Sequence, residues 1–323
     1  MSEKMENVII AGWLKKALNR RDFLKTNLKG ALALAAGSSG ILIPRAGFSE
    51  AVPDVVVAQG SPVEALKAAI KQIGGMTTVV KPGNRVLIKP NMSWASKPEM
   101  AANTNPLIVK ELAIMCKEAG ASSIIVADYT LQDPSSCLSN AGILDACKDI
   151  SGVSVITTNS DVLYKETEFA NAVTMKKNGV LKDRLNADVL IAVPIAKTHQ
   201  ATGVSLSMKG MMGLVWDRRS MHMTNLSSCI VDICMNSLKA DLTVIDGSRV
   251  LSTNGPGGPG KILEPNTIIV SRDMVAADAY AVSAFEWYGK MYEPKQVEHI
   301  RIASERGLGR MDLEKMTIKK LTV

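Results

Sequence analysis

From residue 54 onward, short runs of β-branched and other apolar residues alternate with longer amphipathic segments. The apolar runs predict strands at 54–60, 85–91, 122–128, 153–158, 187–194, 240–246 and 266–271. The amphipathic segments predict helices at 62–73, 106–120, 226–239, 273–288 and 295–307, and Asn105 is the natural N-cap of the second. Short strands separated by helices are typical of β-α-β units. The prediction is an α/β fold with a mainly parallel sheet and helices on both faces.

The first 51 residues have the order of an export signal. Residues 19–25 read NRRDFLK, an Ala/Gly-rich apolar stretch follows at 28–43, and RAGFSEA then ends in small residues. The NRRDFLK stretch resembles a twin-arginine translocation motif, although Asn19 stands where Ser or Thr is usual. The alternative is an amphipathic basic helix at 13–29 followed by a flexible linker.

The prediction for domain organisation follows from that signal. Residues 1–51 form a twin-arginine-type signal, and residues 52–323 form the α/β domain, with a lobe division near 160–185 where the chain turns polar. The protein is expected to be exported to the periplasm by the twin-arginine machinery, with the signal cleaved or retained as an anchor.

The net charge of +7 is concentrated in the signal. The first 51 residues hold eight Lys/Arg and four Asp/Glu of the 38 basic and 31 acidic residues, so 30 basic and 27 acidic residues remain, a balance of +3. Aromatic residues make up only 4% of the chain, which leaves few platforms on which bases could stack. A nucleic-acid partner is therefore not expected.

The five cysteines show no metal-binding spacing. They are Cys116, Cys137, Cys147, Cys229 and Cys234, with no C-x-x-C and no ferredoxin-type run. We interpret them as small buried hydrophobic residues. The sequence contains no cluster-binding motif, and the cofactor stays unknown, with a metal possible.

Polar residues follow several predicted strands at the point where each strand ends. Lys89 and Asn91 end the second strand, Asp128 ends the third, and Lys197 with His199 follows the strand at 187–194. In open parallel sheets, ligands bind beyond the carboxyl ends of strands. The sequence therefore predicts a site at this edge.

Residue chemistry assigns roles within the predicted site. The predicted catalytic residues are His199, Lys197, Lys209, Asp128 and Asp246, and the predicted substrate-binding residues are Lys89, Asn91, His222, Asn254 and Gly255. Lysines suit a carboxylate or phosphate, a histidine suits proton transfer or metal ligation, and the aspartates would orient these groups or hold a cation. The alternatives are a solvated loop for Lys197 and His199 and an Asp-Gly turn for Asp246. His299 is interpreted as the start of a surface helix.

Lys209 lies in GVSLSMKGMMG, between Gly203 and Gly213. Glycines permit close backbone approach and an anion nest, whereas an apolar helix with a snorkelling lysine explains the stretch equally well. Residues 255–262, GPGGPGKI, fit part of a phosphate-binding loop. However, Ile262 replaces the magnesium-binding Ser/Thr, and Pro256 and Pro259 remove two N–H donors. A nucleoside triphosphatase is rejected, and a clamp-like loop over the site is expected.

At these positions the sequence resembles the exported branch of the DUF362 family, a domain of unknown function. The matching stretches lie within about 53–310 and include VLIKPNMSW, VPIAKTHQATGVSLSMKGMMG, RRSMHMTNLSSCIVDI and ADLTVIDGSRVLSTNGPGGPG. The resemblance covers ten polar positions: Lys89, Asn91, Asp128, Lys197, His199, Lys209, His222, Asp232, Asp246 and Asn254. It departs at Gly210, where the family pattern usually has Asn.

The resemblance also implies an association with iron–sulfur proteins. This chain lacks the ferredoxin module found in other members, so any cluster would come from a partner protein. Two main hypotheses stand. The first is an exported enzyme acting on a small carboxylate- or phosphate-bearing anion, and the second is a non-enzymatic periplasmic redox or maturation subunit. A solute-binding protein is a third, which would need two hinged lobes.

Overall fold

A computed structural model describes residues 52–323, so the predicted signal at 1–51 lies outside the described residues. The strands are β1 (Val55–Gln59), β2 (Arg85–Pro90), β3 (Ser123–Asp128), β4 (Val153–Thr157), β5 (Tyr164–Glu168), β6 (Lys177–Leu181), β7 (Val189–Val193), β8 (Ile195–His199), β9 (Gly203–Ser205), β10 (Leu242–Leu251), β11 (Ile262–Leu263), β12 (Thr267–Ser271), β13 (Glu286–Trp287), β14 (Lys290–Met291) and β15 (Ile318–Thr322).

The α-helices are α1 (Pro62–Gln72), α2 (Pro106–Glu118), α3 (Pro134–Asn140), α4 (Ile143–Cys147), α5 (Lys182–Asn186), α6 (Ser207–Gly210), α7 (Arg218–Met223), α8 (Leu226–Cys234), α9 (Met274–Ala284) and α10 (Glu298–Glu305). Among residues 52–323, no helix has the length and apolar character needed to cross a membrane.

The main sheet has the strand order β15-β1-β12-β10-β7-β2-β3-β4. Every neighbouring pair along this path is parallel except the two that β12 makes, with β1 and β10. Strands β8, β9 and β11 extend the sheet beside β10. The prediction of an α/β fold with a mainly parallel sheet is confirmed.

Alternate residues of the strands enter two separate hydrophobic clusters, one on each face of the sheet. In β2, Val86 and Ile88 pack with α1, α2 and α4, whereas Leu87 packs with α8, α9 and α10 on the opposite face. Successive side chains of a strand point to opposite faces of the sheet. Because helices cover both faces, nearly every residue of these strands is apolar. Lys89 shares the face of Leu87 and thus points toward the side that carries α6.

The chain continues in strand conformation beyond two points where the sequence predicted an end. β7 ends at Val193, and β8 begins two residues later and pairs with β10, Ala196 opposite Val250. β10 itself runs on through Asp246 to Leu251. Asp246-Gly247 is therefore strand and not a turn. A Cβ on Gly247 would lie 2.5 Å from the ring of Phe285, so close packing explains this glycine.

Residues 160–185, where the sequence predicted a lobe division, contain the β5–β6 hairpin. Its residues Tyr164, Val180 and Leu181 are buried in the same hydrophobic cluster as α8 and α9. All five cysteines are buried and free, in agreement with their interpretation as small hydrophobic residues. Burial raises the pKa of the Cys116 thiol to about 12.

Candidate functional site

A cavity of about 190 Å³ opens beyond the carboxyl ends of β2 and β3, beside β8. Seven of the ten predicted site residues line it: Lys89, Asn91, Asp128, Lys197, His199, Lys209 and His222. Trp94, Tyr129, Arg218, Arg219 and Pro256 line it as well. Its volume suits a small molecule, because pockets for drug-sized ligands are usually about 300–1,000 Å³.

Lys89 and Asp128 form a buried ion pair on the cavity wall. Lys89 Nζ lies 2.8 Å from Asp128 Oδ1, and each side chain is 1% exposed. Lys89 Nζ also donates to Pro90 O at 2.7 Å, and Asp128 Oδ2 accepts from the N–H of Met92 and the hydroxyl of Ser93, both at 2.9 Å. Both charges are therefore engaged within the protein, and the pair forms a fixed part of the wall.

Lys197 lies on the floor of the cavity in β8 and is 2% exposed. Its Nζ donates a hydrogen bond to Ala102 O at 2.6 Å. Burial lowers the pKa of Lys197 to about 7, Asp128 opposes this shift, and the nearby charges of Lys209 and Lys89 reinforce it. Near neutral pH the amine and the ammonium forms are therefore both populated.

Lys209 is carried by α6, whose start is held by a buried carboxylate. Asp278 accepts from the backbone N–H groups of Ser207 at 2.9 Å and Met208 at 3.0 Å. Lys209 Nζ itself makes no hydrogen bond or ion pair with any residue in 52–323. Burial lowers the pKa of Lys209 to about 8, and the charges of Lys89 and Arg218 add to the effect. The cavity therefore contains one uncommitted amine.

His199 is a neutral imidazole in this cavity. Its Nδ1 accepts from the N–H of Ala201 at 3.2 Å, which leaves the ring proton on Nε2. Burial lowers the pKa of His199 to about 3, and the charges of Lys209, His222 and Lys197 lower it further. From its sequence context, His199 was predicted to transfer a proton or bind a metal. In the structure the neutral form prevails, so His199 offers a hydrogen-bond donor.

Helix α7 brings two arginines to the cavity that the sequence analysis did not assign to the site. The Arg218 guanidinium lies 3.2 Å from the centroid of the Tyr129 ring and donates to Val215 O at 2.6 Å. Arg219 and His222 are exposed at the mouth. The available signal was the Arg-Arg pair one helical turn before His222, because residues four apart share a helix face.

His299 was interpreted as part of a surface helix, but the structure buries it completely. It occupies the first turn of α10, whose inner face packs toward α8 and α9. Neither ring nitrogen has a hydrogen-bond partner among residues 52–323. Burial lowers the pKa of His299 to about 3, and the charge of Lys209 contributes. His299 is thus a neutral ring within electrostatic reach of the cavity.

Three predicted site residues do not line the cavity. Asp246 is fully buried and accepts from the N–H of Asn105 at 2.8 Å and from the hydroxyl of Ser248 at 2.6 Å. The Gly255 N–H donates to Thr198 Oγ1 at 2.9 Å, and Asn254 Nδ2 donates to Pro259 O at 2.6 Å. These contacts hold the start of α2 and the 254–260 loop in place.

The loop at 254–260 does reach the cavity through its neighbouring residues. Pro256 lines it, and a Cβ on Gly257 would lie 2.8 Å from the ring of Trp94, another lining residue. Asp232 lies elsewhere, since its carboxylate accepts from the N–H groups of residues 173–175 and pairs with Arg306 at 2.7 Å.

The electrostatic balance of the lining is strongly positive. It includes the cationic side chains Lys89, Lys197, Lys209, Arg218 and Arg219 but only one carboxylate, Asp128. Within residues 52–323, no group of three or more His, Cys, Asp or Glu side chains is placed to hold a metal ion. The arrangement favours an anion, because low-dielectric walls lined by one sign of charge concentrate ions of the opposite sign.

Three comparisons with known proteins show what this chain is similar to. A thylakoid-associated protein of Synechocystis sp. is 24% identical over 228 residues, which is 68% of this chain and 68% of the relative. The lactate racemase apoprotein from Thermoanaerobacterium thermosaccharolyticum matches with a TM-score of 0.44 and 14% identity. That match covers 68% of this chain and 54% of the racemase, about half of its length. The family model for the domain of unknown function DUF362 matches residues 86–283, more than half of the sequence, and the chain therefore belongs to the DUF362 family.

Proposed function

We propose that the cavity binds a small carboxylate- or phosphate-bearing anion and that the protein is an enzyme acting on it. The observation that carries this proposal is that five cationic side chains and only one carboxylate line a cavity of about 190 Å³. Gathering several cations around a cavity is unfavourable unless an anion compensates those that have no partner in the protein. Burial is the main cause of the low pKa values of Lys197 and Lys209, and a bound anion would relieve the repulsion between cations that adds to it.

The side chains divide into groups that hold the anion and groups that move protons. Arg218 and Arg219 are suited to hold a carboxylate or phosphate, because guanidinium groups match these oxyanions in geometry. Lys197, with a pKa of about 7, can accept or return a proton at neutral pH. His199 donates a hydrogen bond from its Nε2–H to an oxygen of the bound molecule and stays neutral. Lys89 and Asp128 form the rigid wall.

Titration calorimetry with oxalate, inorganic phosphate and neutral acetamide tests anion binding. We expect heat from at least one anion and none from acetamide, and about tenfold weaker binding to Lys209→Met because one uncompensated charge is lost. A wild-type protein that binds none of the anions would refute the proposal.

His199→Gln is expected to abolish turnover of the substrate while the melting temperature stays near that of wild type.

We also propose that the protein is exported through the twin-arginine route, as a member of the family branch without a ferredoxin module. The motif at residues 19–25 and the thylakoid-associated name of the Synechocystis relative support an extracytoplasmic site of action. Replacing both Arg20 and Arg21 by lysine should keep the protein in the cytoplasm, which cell fractionation measures. Unchanged export of this variant would exclude the twin-arginine route.

A second candidate is a non-enzymatic redox or iron–sulfur maturation subunit. The observation that favours it is the exposure of two apolar side chains beside the cationic mouth, Leu131 at 59% and Met223 at 73%. Exposed apolar residues next to arginines suit a protein partner. Metal analysis of protein purified from its native compartment distinguishes the candidates, because a transition metal or cluster in stoichiometric amount would support the subunit.

A further inference from the structure

The three lysines of the cavity differ in what their amino groups contact. Lys89 Nζ is paired with Asp128 and bonded to Pro90 O, and Lys197 Nζ is bonded to Ala102 O. Lys209 Nζ has no such partner in the part of the chain that the structure describes. Its lone pair in the neutral form is therefore free, and no protein acceptor competes for its protons. Among the three, Lys209 has the features of a nucleophile.

The surroundings of Lys209 increase the fraction of neutral amine. Burial is the main cause of its low pKa, and the cations Lys89 and Arg218 act in the same direction. A lysine becomes a nucleophile toward carbonyl carbon when it is desolvated or placed beside another cation. Lys209 meets both conditions. Its backbone is also fixed, because Asp278 holds the first two residues of α6.

The same cations define what the molecule carrying the carbonyl should look like. Arg218 lines the same cavity as Lys209 and its charge acts on Lys209, so one small molecule can pair its carboxylate with Arg218 and also reach Lys209. His199 contributes a neutral ring with its proton on Nε2, which can bond to the oxygen of a carbonyl group. A carboxylate next to a carbonyl satisfies all three residues.

We propose that Lys209 forms a Schiff base with a 2-oxo acid in this cavity. This inference rests on the proposed function, since it names the substrate class for the same anion site. The lone pair of the neutral Lys209 amine forms a C–N bond with the carbonyl carbon. The carbonyl oxygen takes up the two amine protons and leaves as water, and the C=N bond remains. Protonation of the imine by Lys197 gives an iminium group that withdraws electrons from the neighbouring carbon.

Reductive trapping tests the proposal. The full protein is incubated with pyruvate and sodium cyanoborohydride, digested, and mapped by mass spectrometry. We expect the reduced adduct at Lys209 to form at least about tenfold faster than at exposed lysines, because the latter remain protonated at neutral pH. Lys209→Arg should give no site-specific adduct, whereas Lys290→Arg, a change at an exposed lysine, should label like wild type. Mapping of the wild-type protein keeps the test decisive if Lys209→Arg does not fold.

Lactate is the matched control ligand, because it has the carboxylate of pyruvate and a hydroxyl group in place of the carbonyl. Lactate should bind, give no adduct, and slow trapping of pyruvate at Lys209. Binding of both acids without labelling of Lys209 would overturn the Schiff base and leave the proposed anion site intact. Labelling at similar rates across surface lysines would overturn it as well. Binding of no anion at all would remove both proposals.

Discussion

Gly213 shows how one residue can control the geometry of the site. A Cβ at this position would lie 2.1 Å from Asp128 Oδ1 and 2.6 Å from Lys89 Cε. The backbone of residue 213 therefore covers the ion pair and keeps water away from it. Removing one partner of a buried pair is costly because the other charge is left unpaired. Only glycine lets the backbone of residue 213 approach the Lys89–Asp128 pair this closely, because any Cβ would overlap it.

Gly213→Ala is expected to lower the free energy of unfolding by about 1–3 kcal/mol, because the methyl group overlaps atoms that cannot move freely. Gly210→Ala is the matched control. Gly210 has α-helical φ and ψ, and a Cβ there would meet nothing within 4 Å. It should be neutral or stabilising by up to about 1 kcal/mol. Urea unfolding of both variants measures the difference, and equal stabilities would contradict the close packing at Gly213.

At the scale of elements, β8 and α7 bring five polar side chains to the cavity, namely Lys197, His199, Arg218, Arg219 and His222. β8 begins directly after Pro194 and pairs with the extended end of β10, so Lys197 and His199 project from the same strand toward the cavity. α7 begins at a well-made cap, with Asp217 accepting from the N–H of Ser220 at 3.0 Å. Its Arg218 lies against Tyr129, which follows β3, so the position of this arginine depends on tertiary packing.

Arg219→Met tests the contribution of α7. Arg219 is exposed and makes no hydrogen bond or ion pair with residues 52–323, so the substitution removes mainly its charge from the mouth. Oxalate binding should weaken about two- to tenfold at low ionic strength, and the loss should shrink with added salt because screening already reduces the attraction. Arg301→Met, on α10 and outside the cavity lining, is the control and should bind oxalate like wild type. If both substitutions weaken oxalate binding equally, the loss reflects the net charge of the protein and not the position of Arg219 at the cavity mouth.

At the scale of the whole molecule, the sheet brings together lysines that are far apart in the sequence, in one poorly hydrated cavity. Their burial makes the stability of the protein depend on pH. Lys197 titrates near pH 7 in the folded protein and at its usual value of 10.5 in the unfolded chain. Between these values the unfolded chain binds a proton that the folded protein does not. The free energy of unfolding therefore rises with pH across this window. Below pH 7 the folded protein bears the full destabilisation that comes from burying the charged Lys197.

Lys197→Met removes this contribution. From pH 7 to about pH 9, the stability of wild type should rise relative to that of Lys197→Met by up to about 1.4 kcal/mol per pH unit. Chemical unfolding at several pH values measures the two curves. Below about pH 6 the two curves should run parallel. Parallel curves over the whole range would show that Lys197 is not desolvated in the folded protein.

Much of the fold could be predicted because local pattern determines it. The strand at 122–128 and the helix that begins at Pro106 appear close to their predicted bounds, since apolar runs and an Asn-Pro cap are local signals. The positions of Lys89 and Asp128 at strand ends were likewise visible. The burial of His299 was not, because it depends on which face of α10 meets its neighbours.

By itself, the sequence determined the α/β class, the order of the seven predicted strands and five predicted helices, and the presence of polar residues after strands, because these follow from side-chain period and chain order. Only the tertiary structure decided that Lys209 has no partner within residues 52–323 while Lys89 and Lys197 do, that α7 adds two arginines, and that Asp246 supports a helix start instead of the cavity. The physical reason is that a pKa and a free amine depend on desolvation and on charges brought near by folding, which no local pattern encodes.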